Sequence, residues 1–241
     1  MATPTLDFPH LKIEYPESDG KPMAETDVHR KLLMDIIAAL TYFFRNVIDV
    51  YVAGNLLFYY EEGVPSSAMA PDVFVVKGAM KGNRRTYKLW EEKRAPCTVF
   101  EFTSRSTRLE DMGVKRELYA MLGVKEYFIC DPLAEYLTPP LQGFVLERGD
   151  YVRLKPEGDG ALLSHELGLK MIVENETLRL IDMKTGEKLL TFAEAQDKAQ
   201  RETKARKVEA EARKVETEAR KKAEAEVEKL RAELAKLRGE K

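Results

Sequence analysis

The sequence predicts an α/β domain built on a mixed β-sheet, followed by a long C-terminal helix. Residues 97–103 and 124–130 are short runs with apolar residues on both side-chain faces, a pattern typical of strands covered on both sides of a sheet. A helical pattern separates these two runs. From Thr191 onward there is no Pro or Gly until Gly239, which predicts one long helix. We therefore divide the chain into an α/β domain over residues 1–190 and a helical tail over residues 191–241.

Composition narrows the class of protein. With 241 residues, of which 44% are hydrophobic, the chain can form one globular domain plus an appendage. Its net charge of −2 argues against a generally basic nucleic-acid binder. Cys97 and Cys130 both lie in apolar runs, as expected in a reducing compartment. Because no signal pattern and no apolar run of about 18 residues is present, we expect a cytoplasmic protein without a membrane span.

The remaining elements of the domain follow from hydrophobic periodicity. Helical spacing from Asp27 predicts an amphipathic helix that ends near residues 45–46. Residues 50–60 read as strand, and residues 77–94 as a basic loop. Residues 142–187 contain two hairpin signals, so we expect antiparallel strands that extend or cover the main sheet. Between residues 77 and 116 there are 11 Lys and Arg residues against 5 Asp and Glu residues, a basic concentration that would suit nucleic acid.

Two carboxylates interrupt the apolar strands. Glu101 lies inside the run 97–103, and Asp72 precedes the apolar run 73–76, directly after Pro71. Burying a charge is costly unless something compensates it. If the two strands are neighbours, the carboxylates meet at one end of the sheet, where they would suit Mg²⁺ or Mn²⁺.

The helical segment after Glu101 adds a lysine. Thr107 and Glu110 form a capping-box pattern, which predicts the start of a helix. An apolar stripe follows at positions 109, 112, 119 and 122, and Lys115 falls inside it, with Asp111 one turn before on the same side. An inward lysine beside two carboxylates would suit a phosphodiester hydrolase, because an ammonium stabilises charge developing on phosphorus. The alternatives are a Pro-Asp turn, a snorkelling lysine and a structural ion pair between Lys115 and Asp111.

These motifs, in this order, resemble the Uma-two family of restriction-endonuclease-like proteins, within the PD-(D/E)XK nuclease superfamily. The resemblance covers roughly residues 12–190. Its matching pieces are Ser18–Thr26 with His29, Gly54-Asn55-Leu56, Pro71-Asp72 with the strand after it, Glu101-Phe102-Thr103 with the turn after it, and Gly123–Phe128.

The resemblance implies a restriction-endonuclease-like fold and a metal-dependent endonuclease that hydrolyses DNA phosphodiester bonds. It implies that Asp72 and Glu101 bind Mg²⁺ or Mn²⁺. Thr103 departs from the pattern, because Glu-x-Lys would have a lysine there, and Lys115 is the natural substitute. The first helix of this class often supplies an extra acidic ligand, so Glu25 is a candidate accessory ligand; its alternative is an ordinary carboxylate in an N-terminal turn.

Two further functions and the role of the tail stay open at this stage. The nuclease fold could be retained without chemistry, as a scaffold or nucleic-acid-binding protein, and a metal-dependent phosphatase acting on small substrates is a third class. The tail has apolar residues at 3–4 spacing, which predicts a coiled coil and a homodimer. The alternative is a highly charged, solvated helix.

Overall fold

The computed structural model describes residues 13–18 and 26–239. The described residues form five helices: α1 (Asp27–Phe43), α2 (Leu89–Glu92), α3 (Arg108–Met112), α4 (Val114–Met121) and α5 (Phe192–Gly239). They also form twelve strands: β1 (Val50–Ala53), β2 (Phe58–Tyr59), β3 (Ala68–Met69), β4 (Val73–Lys77), β5 (Tyr87–Lys88), β6 (Thr98–Phe102), β7 (Glu126–Cys130), β8 (Leu141–Glu147), β9 (Asp150–Arg153), β10 (Leu162–Ser164), β11 (Leu169–Glu174) and β12 (Thr177–Asp182).

The central sheet has six strands in the order β1-β4-β6-β7-β8-β9. β6 and β7 are parallel, and the other neighbouring strands are antiparallel. The parallel pair needs a crossover connection, which α3 and α4 provide. The carboxyl ends of β6 and β7 therefore meet at one end of the sheet, where the chain continues into Thr103 and Asp131. The mixed α/β architecture predicted from the sequence is confirmed.

Both faces of the central sheet are covered, which explains why its strands are apolar on both sides. On one face, Leu32, Ile36 and Leu40 of α1 pack with sheet residues such as Phe100 and Phe128. Three strands in the order β10-β11-β12 contribute to the same core. The opposite face carries a second core, whose buried aromatic residues are Tyr51, Phe58, Phe74, Tyr87, Tyr119, Tyr127 and Phe144.

Residues 142–187 form antiparallel strands, as expected, but they divide between two sheets. β8 and β9 extend the central sheet, while β10–β12 form a separate one. A buried carboxylate, Glu126 on β7, links the two sheets. It accepts hydrogen bonds from the Ser164 hydroxyl and from the backbone N–H groups of His165 (2.8 Å) and Glu166 (3.0 Å). This connection is between residues far apart in sequence, so no local pattern signals it.

The segment between Thr107 and Leu122 differs from its prediction. The chain breaks at Gly113 into α3 and α4, and the Thr107 side chain makes no capping bond to the helix. Instead, Thr107 Oγ1 accepts a hydrogen bond from the backbone N–H of Ser104, at 3.1 Å. Leu109 and Met112 are 78% and 42% exposed, so the predicted apolar stripe is wrong at these positions. The break changes the direction of the helical face after Gly113.

Two other boundaries also differ. α1 ends at Phe43, slightly before the predicted end at residues 45–46. Residues 77–94, expected to be a loop, contain β5 and α2, and β5 pairs in parallel with β2. The pairing of two such short strands depends on the fold around them, because runs of two residues carry no periodicity.

The chain divides into two compact units, residues 1–192 and 193–241. The second unit consists of α5, in which no residue is buried among those described. Its larger apolar side chains, at positions 208, 215, 227, 230, 234 and 237, are between 47% and 69% exposed. The long C-terminal helix is confirmed, and its coiled-coil pairing stays a prediction. Within the described ranges, no helix is long and apolar enough to cross a membrane.

Candidate active site

Asp72 lies just before β4, at the end of the sheet where β6 finishes. The registered pair Val73–Phe100, continued by one residue, sets Asp72 opposite Glu101. Its carboxylate accepts a hydrogen bond from the backbone N–H of Phe102, at 2.6 Å, and lies 3.3 Å from His29 Nε2. The backbone at Gly54 passes close to the backbone of Asp72, and a Cβ atom at Gly54 would lie 2.2 Å from the backbone oxygen of Asp72. The Asp72 carboxylate is therefore held in one orientation.

Glu101 is buried inside the second core, with 1% exposure. Its Oε1 atom accepts a hydrogen bond from the Tyr119 hydroxyl at 2.6 Å, and its Oε2 atom lies 3.0 Å from Lys115 Nζ. Burial raises the pKa of Glu101 well above its ordinary value; Lys115 opposes this rise, and the charges of Asp72 and Asp111 add to it. The pKa is raised because negative charge is concentrated here away from water.

Lys115 of α4 forms ion pairs with a residue of β6 and with a residue of α3. Its ammonium lies 2.8 Å from Asp111 Oδ1 as well as 3.0 Å from Glu101 Oε2, and its side chain is 16% exposed. Burial lowers the pKa of Lys115, but the charges of Glu101 and Asp111 outweigh that effect, so the pKa is raised. Lys115 therefore stays charged at neutral pH. The inward direction predicted from helical spacing is found, even though the helix before it breaks at Gly113.

Thr103 occupies the place where the motif would have its lysine. It follows β6, two residues after Glu101, and is 7% exposed. Its Oγ1 atom is buried and has no hydrogen-bond partner among the described residues. A buried hydroxyl without a partner costs free energy, so Thr103 is a position where a water or ligand would be stabilised.

An open cleft of about 720 Å³ lies beside these groups, at the carboxyl ends of β6 and β7. Asp72, Thr103 and His29 line it, as do residues 104–107 and a wall formed by residues 131–133, 135 and 136. Glu101 and Lys115 are not among the lining residues; they lie behind Asp72 and Thr103. Of the two predicted metal ligands, Asp72 therefore lines the cleft directly. Glu101 lies in the buried cluster behind it and does not line the cleft.

The carboxylates and the hydroxyl at this end of the sheet can be compared with the ligands that a divalent cation needs. Among residues 13–18 and 26–239, no three His, Cys, Asp or Glu side chains are arranged to hold a metal on their own. Mg²⁺ needs fewer, because it commonly keeps several waters and takes one or two carboxylates from the protein. Asp72, Glu101 and Asp111 all act on the ammonium of Lys115, so carboxylates outnumber the lysine in this cluster. This excess negative charge and the unpartnered Thr103 hydroxyl fit a hydrated divalent cation.

The structure thus brings together four of the predicted site residues, Asp72, Glu101, Thr103 and Lys115, at one end of the sheet. The fifth, Glu25, lies outside the described residues. Sequence reasoning missed Tyr119, which it placed only in the apolar stripe although its hydroxyl contacts Glu101. It also gave His29 no role in the site, naming it only as part of the resemblance, although the ring contacts Asp72. Neither contact has a local signal, because each joins residues distant in sequence.

The basic stretch of the sequence is partly neutralised. Of its 11 basic side chains, five form ion pairs with residues that the structure describes: Lys77 with Glu166, Arg84 with Glu92, Arg85 with Glu17, Lys88 with Glu91, and Lys115 with Glu101 and Asp111. Lys81 donates to the backbone oxygens of Phe44 and Arg45. The electrostatic footprint for nucleic acid is therefore smaller than the sequence count implies.

One family model matches this sequence. The sequence model of a family described as "Uma2: Putative restriction endonuclease" matches residues 3–179, more than half of the chain. Four chains of solved structures match. One is a crystal structure described as a "putative nuclease belonging to DUF820" from Anabaena variabilis; it is 12% identical, with a TM-score of 0.45 over 65% of this chain and 87% of that chain. No curated protein matches.

Proposed function

Because the chain belongs to the Uma2 family, described as putative restriction endonucleases, we propose that it is a metal-dependent endonuclease that hydrolyses DNA phosphodiester bonds. Family membership supports a nuclease-like function as such. The metal, the reacting residues and the DNA substrate belong to the proposal.

The observation that supports the chemistry most is the distance of 3.0 Å between Lys115 Nζ and Glu101 Oε2. A PD-(D/E)XK site needs a lysine beside its second carboxylate, and Thr103 stands where that lysine would be. Lys115 supplies an ammonium to the same carboxylate from the following helix. The proposal therefore depends on Lys115 of the following helix taking the role that the motif gives to a lysine at the position of Thr103.

Asp72 and Glu101 would hold Mg²⁺ or Mn²⁺, with waters and a substrate phosphate as the other ligands. When bound, such an ion polarises the phosphate and lowers the pKa of a bound water. The backbone N–H of Phe102 orients the Asp72 carboxylate, and the Tyr119 hydroxyl orients that of Glu101. Lys115 does not line the cleft, so its ammonium would act on the reacting phosphate through Glu101, whose carboxylate it contacts at 3.0 Å. The Thr103 hydroxyl would bind a water at the floor of the cleft.

One set of contacts favours the second candidate, a catalytically silent scaffold. Lys115 already pairs with two carboxylates, and both Glu101 oxygens already have a partner. A closed, buried ion cluster of this kind can persist for structural reasons alone. Each carboxylate oxygen has two lone pairs, however, so the existing contacts leave room for one further bond at each Glu101 oxygen.

We also propose that the C-terminal tail mediates dimerisation of the chain. Residues 191–241 form the helical tail of the proposed domain division, and α5 carries an apolar seam that nothing among the described residues covers. Parallel pairing of two α5 helices would bury Val227, Leu230, Leu234 and Leu237. Sedimentation of the full chain should give a dimer, and Leu230→Glu with Leu234→Glu should give a monomer. If the wild-type chain is a monomer at micromolar concentration, the proposed dimerisation through α5 is wrong.

The nuclease proposal is tested by cleavage of supercoiled plasmid and of single-stranded DNA with Mg²⁺ or Mn²⁺. The variants are Asp72→Asn and Lys115→Ala, and Lys125→Ala is the matched control. Lys125 is an exposed lysine paired with Glu166, so its loss should leave cleavage unchanged. Removal of a charged group that acts in the transition state typically costs a factor of about 10² to 10³ in kcat.

The outcomes separate the two candidate functions. Metal-dependent cleavage that is lost in Asp72→Asn and Lys115→Ala, with circular dichroism showing both variants folded at the assay temperature, and kept in Lys125→Ala, supports the whole site. Cleavage that survives Lys115→Ala rejects the lysine and keeps the metal site. If wild type cuts neither substrate, and calorimetry finds no Mg²⁺ or Mn²⁺ binding, the silent scaffold is the better account.

A further inference from the structure

We infer that the cleft selects unpaired nucleotides, and that Tyr136 is the specificity-determining residue on which a base stacks. This inference rests on the proposed nuclease function and names its substrate class as single-stranded nucleic acid. It comes from three features of the cleft: its charge, the placement of Tyr136, and the distance of other basic side chains from it.

The charge of the cleft does not suit a duplex. Its described lining residues include three carboxylates, Asp72, Asp131 and Glu135, and Arg105 is the one Arg or Lys among them. Duplex DNA presents two densely charged backbones, and proteins that bind it neutralise several phosphates with Lys and Arg. A cleft with one arginine and three carboxylates can accept only a short stretch of backbone.

Tyr136 is presented to the cleft by a rigid loop. The buried carboxylate of Asp131, which is 2% exposed, accepts hydrogen bonds from the backbone N–H groups of Tyr136 (2.6 Å) and Leu137 (2.9 Å). Leu137 is itself buried and anchors the loop in the second core. The Tyr136 side chain is only half-buried and lines the cleft. Its backbone is therefore fixed while its ring stays accessible.

Apolar groups extend the same wall and floor. Leu133 lines the cleft with 40% of its surface exposed, and Phe102 and Leu32 lie at its base. A half-buried tyrosine with an accessible ring beside apolar side chains can serve as a platform for a base, since every base has a face that can stack, whatever the sequence. The volume of about 720 Å³ is open to solvent and can admit a nucleotide splayed out of a strand.

Three paired basic side chains of the domain lie away from the cleft and cannot add phosphate contacts there. Lys77 ends β4 and Lys125 precedes β7, so both lie at the end of the sheet opposite Asp72 and Asp131, where they pair with Glu166. Arg84 lies over the ring of Tyr51, near that same far end, and pairs with Glu92. The affinity for nucleic acid is therefore expected to depend on stacking more than on backbone charge.

The test measures binding without cleavage. Wild type in EDTA is titrated into a fluorescein-labelled thymidine 12-mer and, separately, into a 12-base-pair duplex. The same strand with one central 2-aminopurine reports stacking directly, through quenching of its emission. The variants are Tyr136→Ala and Tyr136→Phe, and Tyr42→Ala is the matched control, since Tyr42 is 64% exposed on α1 and lies outside the cleft. The backbone bond from residue 136 to Asp131 survives all of these changes.

Wild type should bind the single strand at least tenfold more tightly than the duplex. Tyr136→Ala should weaken binding of the single strand by about tenfold and abolish 2-aminopurine quenching, as loss of one stacked base does. Tyr136→Phe and Tyr42→Ala should behave as wild type. With about one or two phosphate contacts, log K against log salt should have a slope of roughly −1.

The results also distinguish this inference from the proposed function. Equal affinity for duplex and single strand, or unchanged quenching in Tyr136→Ala, overturns the inference even if the protein cuts DNA. Selective binding of the single strand that depends on Tyr136 supports Tyr136 as the residue on which a base stacks. If such binding occurs and no cleavage follows with Mg²⁺ or Mn²⁺, the nuclease proposal fails and the base-binding residue stands.

Discussion

Replacing Lys115 by Met should destabilise the protein more than any surface charge change, because it leaves two buried carboxylates without their cation. Glu101 and Asp111 are each 1% exposed, and the Lys115 ammonium lies 3.0 and 2.8 Å from them. Removing one partner of a buried ion pair costs about 3–5 kcal/mol. The cost has an upper limit, since an unpaired carboxylate can take up a proton at neutral pH instead of staying charged.

That limit follows from the ordinary pKa of a glutamic acid. At pH 7, protonating a carboxyl of pKa about 4.3 costs roughly 3.7 kcal/mol, at 1.36 kcal/mol per pKa unit. Burial already raises the pKa of Glu101, which makes the cost for this residue smaller. We therefore expect about 3–5 kcal/mol for the variant as a whole, or a fall in Tm of roughly 6–20 °C for a domain of this size.

The assay is urea unfolding followed by the fluorescence of Trp90, the only tryptophan of the chain. This probe reports on the first compact unit and excludes the signal of α5. Lys125→Met is the control, because its ion pair with Glu166 is at the surface, and such pairs are worth at most about 1 kcal/mol. A loss below about 1 kcal/mol in Lys115→Met would refute the reasoning, since it would mean that water reaches the cluster.

Three other predictions follow from single contacts. If the proposed nuclease site is correct, Gly54→Ala should reduce cleavage by about a hundredfold, because its Cβ would lie 2.2 Å from the backbone oxygen of Asp72 and displace this proposed metal ligand. Ser164→Ala should lower the free energy of unfolding by about 1–3 kcal/mol, since it removes a buried partner of Glu126. Burial raises the pKa of Glu166, but its two lysine partners outweigh that effect and lower it. This contribution to stability is complete above pH about 4.3 and is lost as pH falls further, so Glu166→Gln should flatten the acid limb of the stability curve.

Each of these predictions has its own control. Gly158→Ala has no atom within 4 Å of the added Cβ and should cleave as wild type does. Ser67→Ala removes an exposed hydroxyl and should change stability by less than about 0.5 kcal/mol. Normal cleavage by Gly54→Ala, wild-type stability of Ser164→Ala, or an unchanged acid limb in Glu166→Gln would each contradict the corresponding argument.

The sequence by itself determined the parts of this protein that depend on local periodicity. Alternation of side chains identified buried strands, and it marked Glu101 as a carboxylate inside one of them. Helical spacing gave the inward direction of Lys115, because residues four apart share a face of a helix. The short motifs, in their order, pointed to the Uma2 family, and the family match confirms that prediction.

The tertiary structure alone decided which distant groups meet. The contacts of Tyr119 with Glu101, of His29 with Asp72 and of Glu126 with Ser164 join residues 18 to 43 positions apart. Packing also decided which basic residues are paired, and so reduced the charge that a residue count had assigned to nucleic acid. Side-chain periodicity describes only which way a residue faces. What it faces depends on how the elements pack, and that is a property of the whole chain.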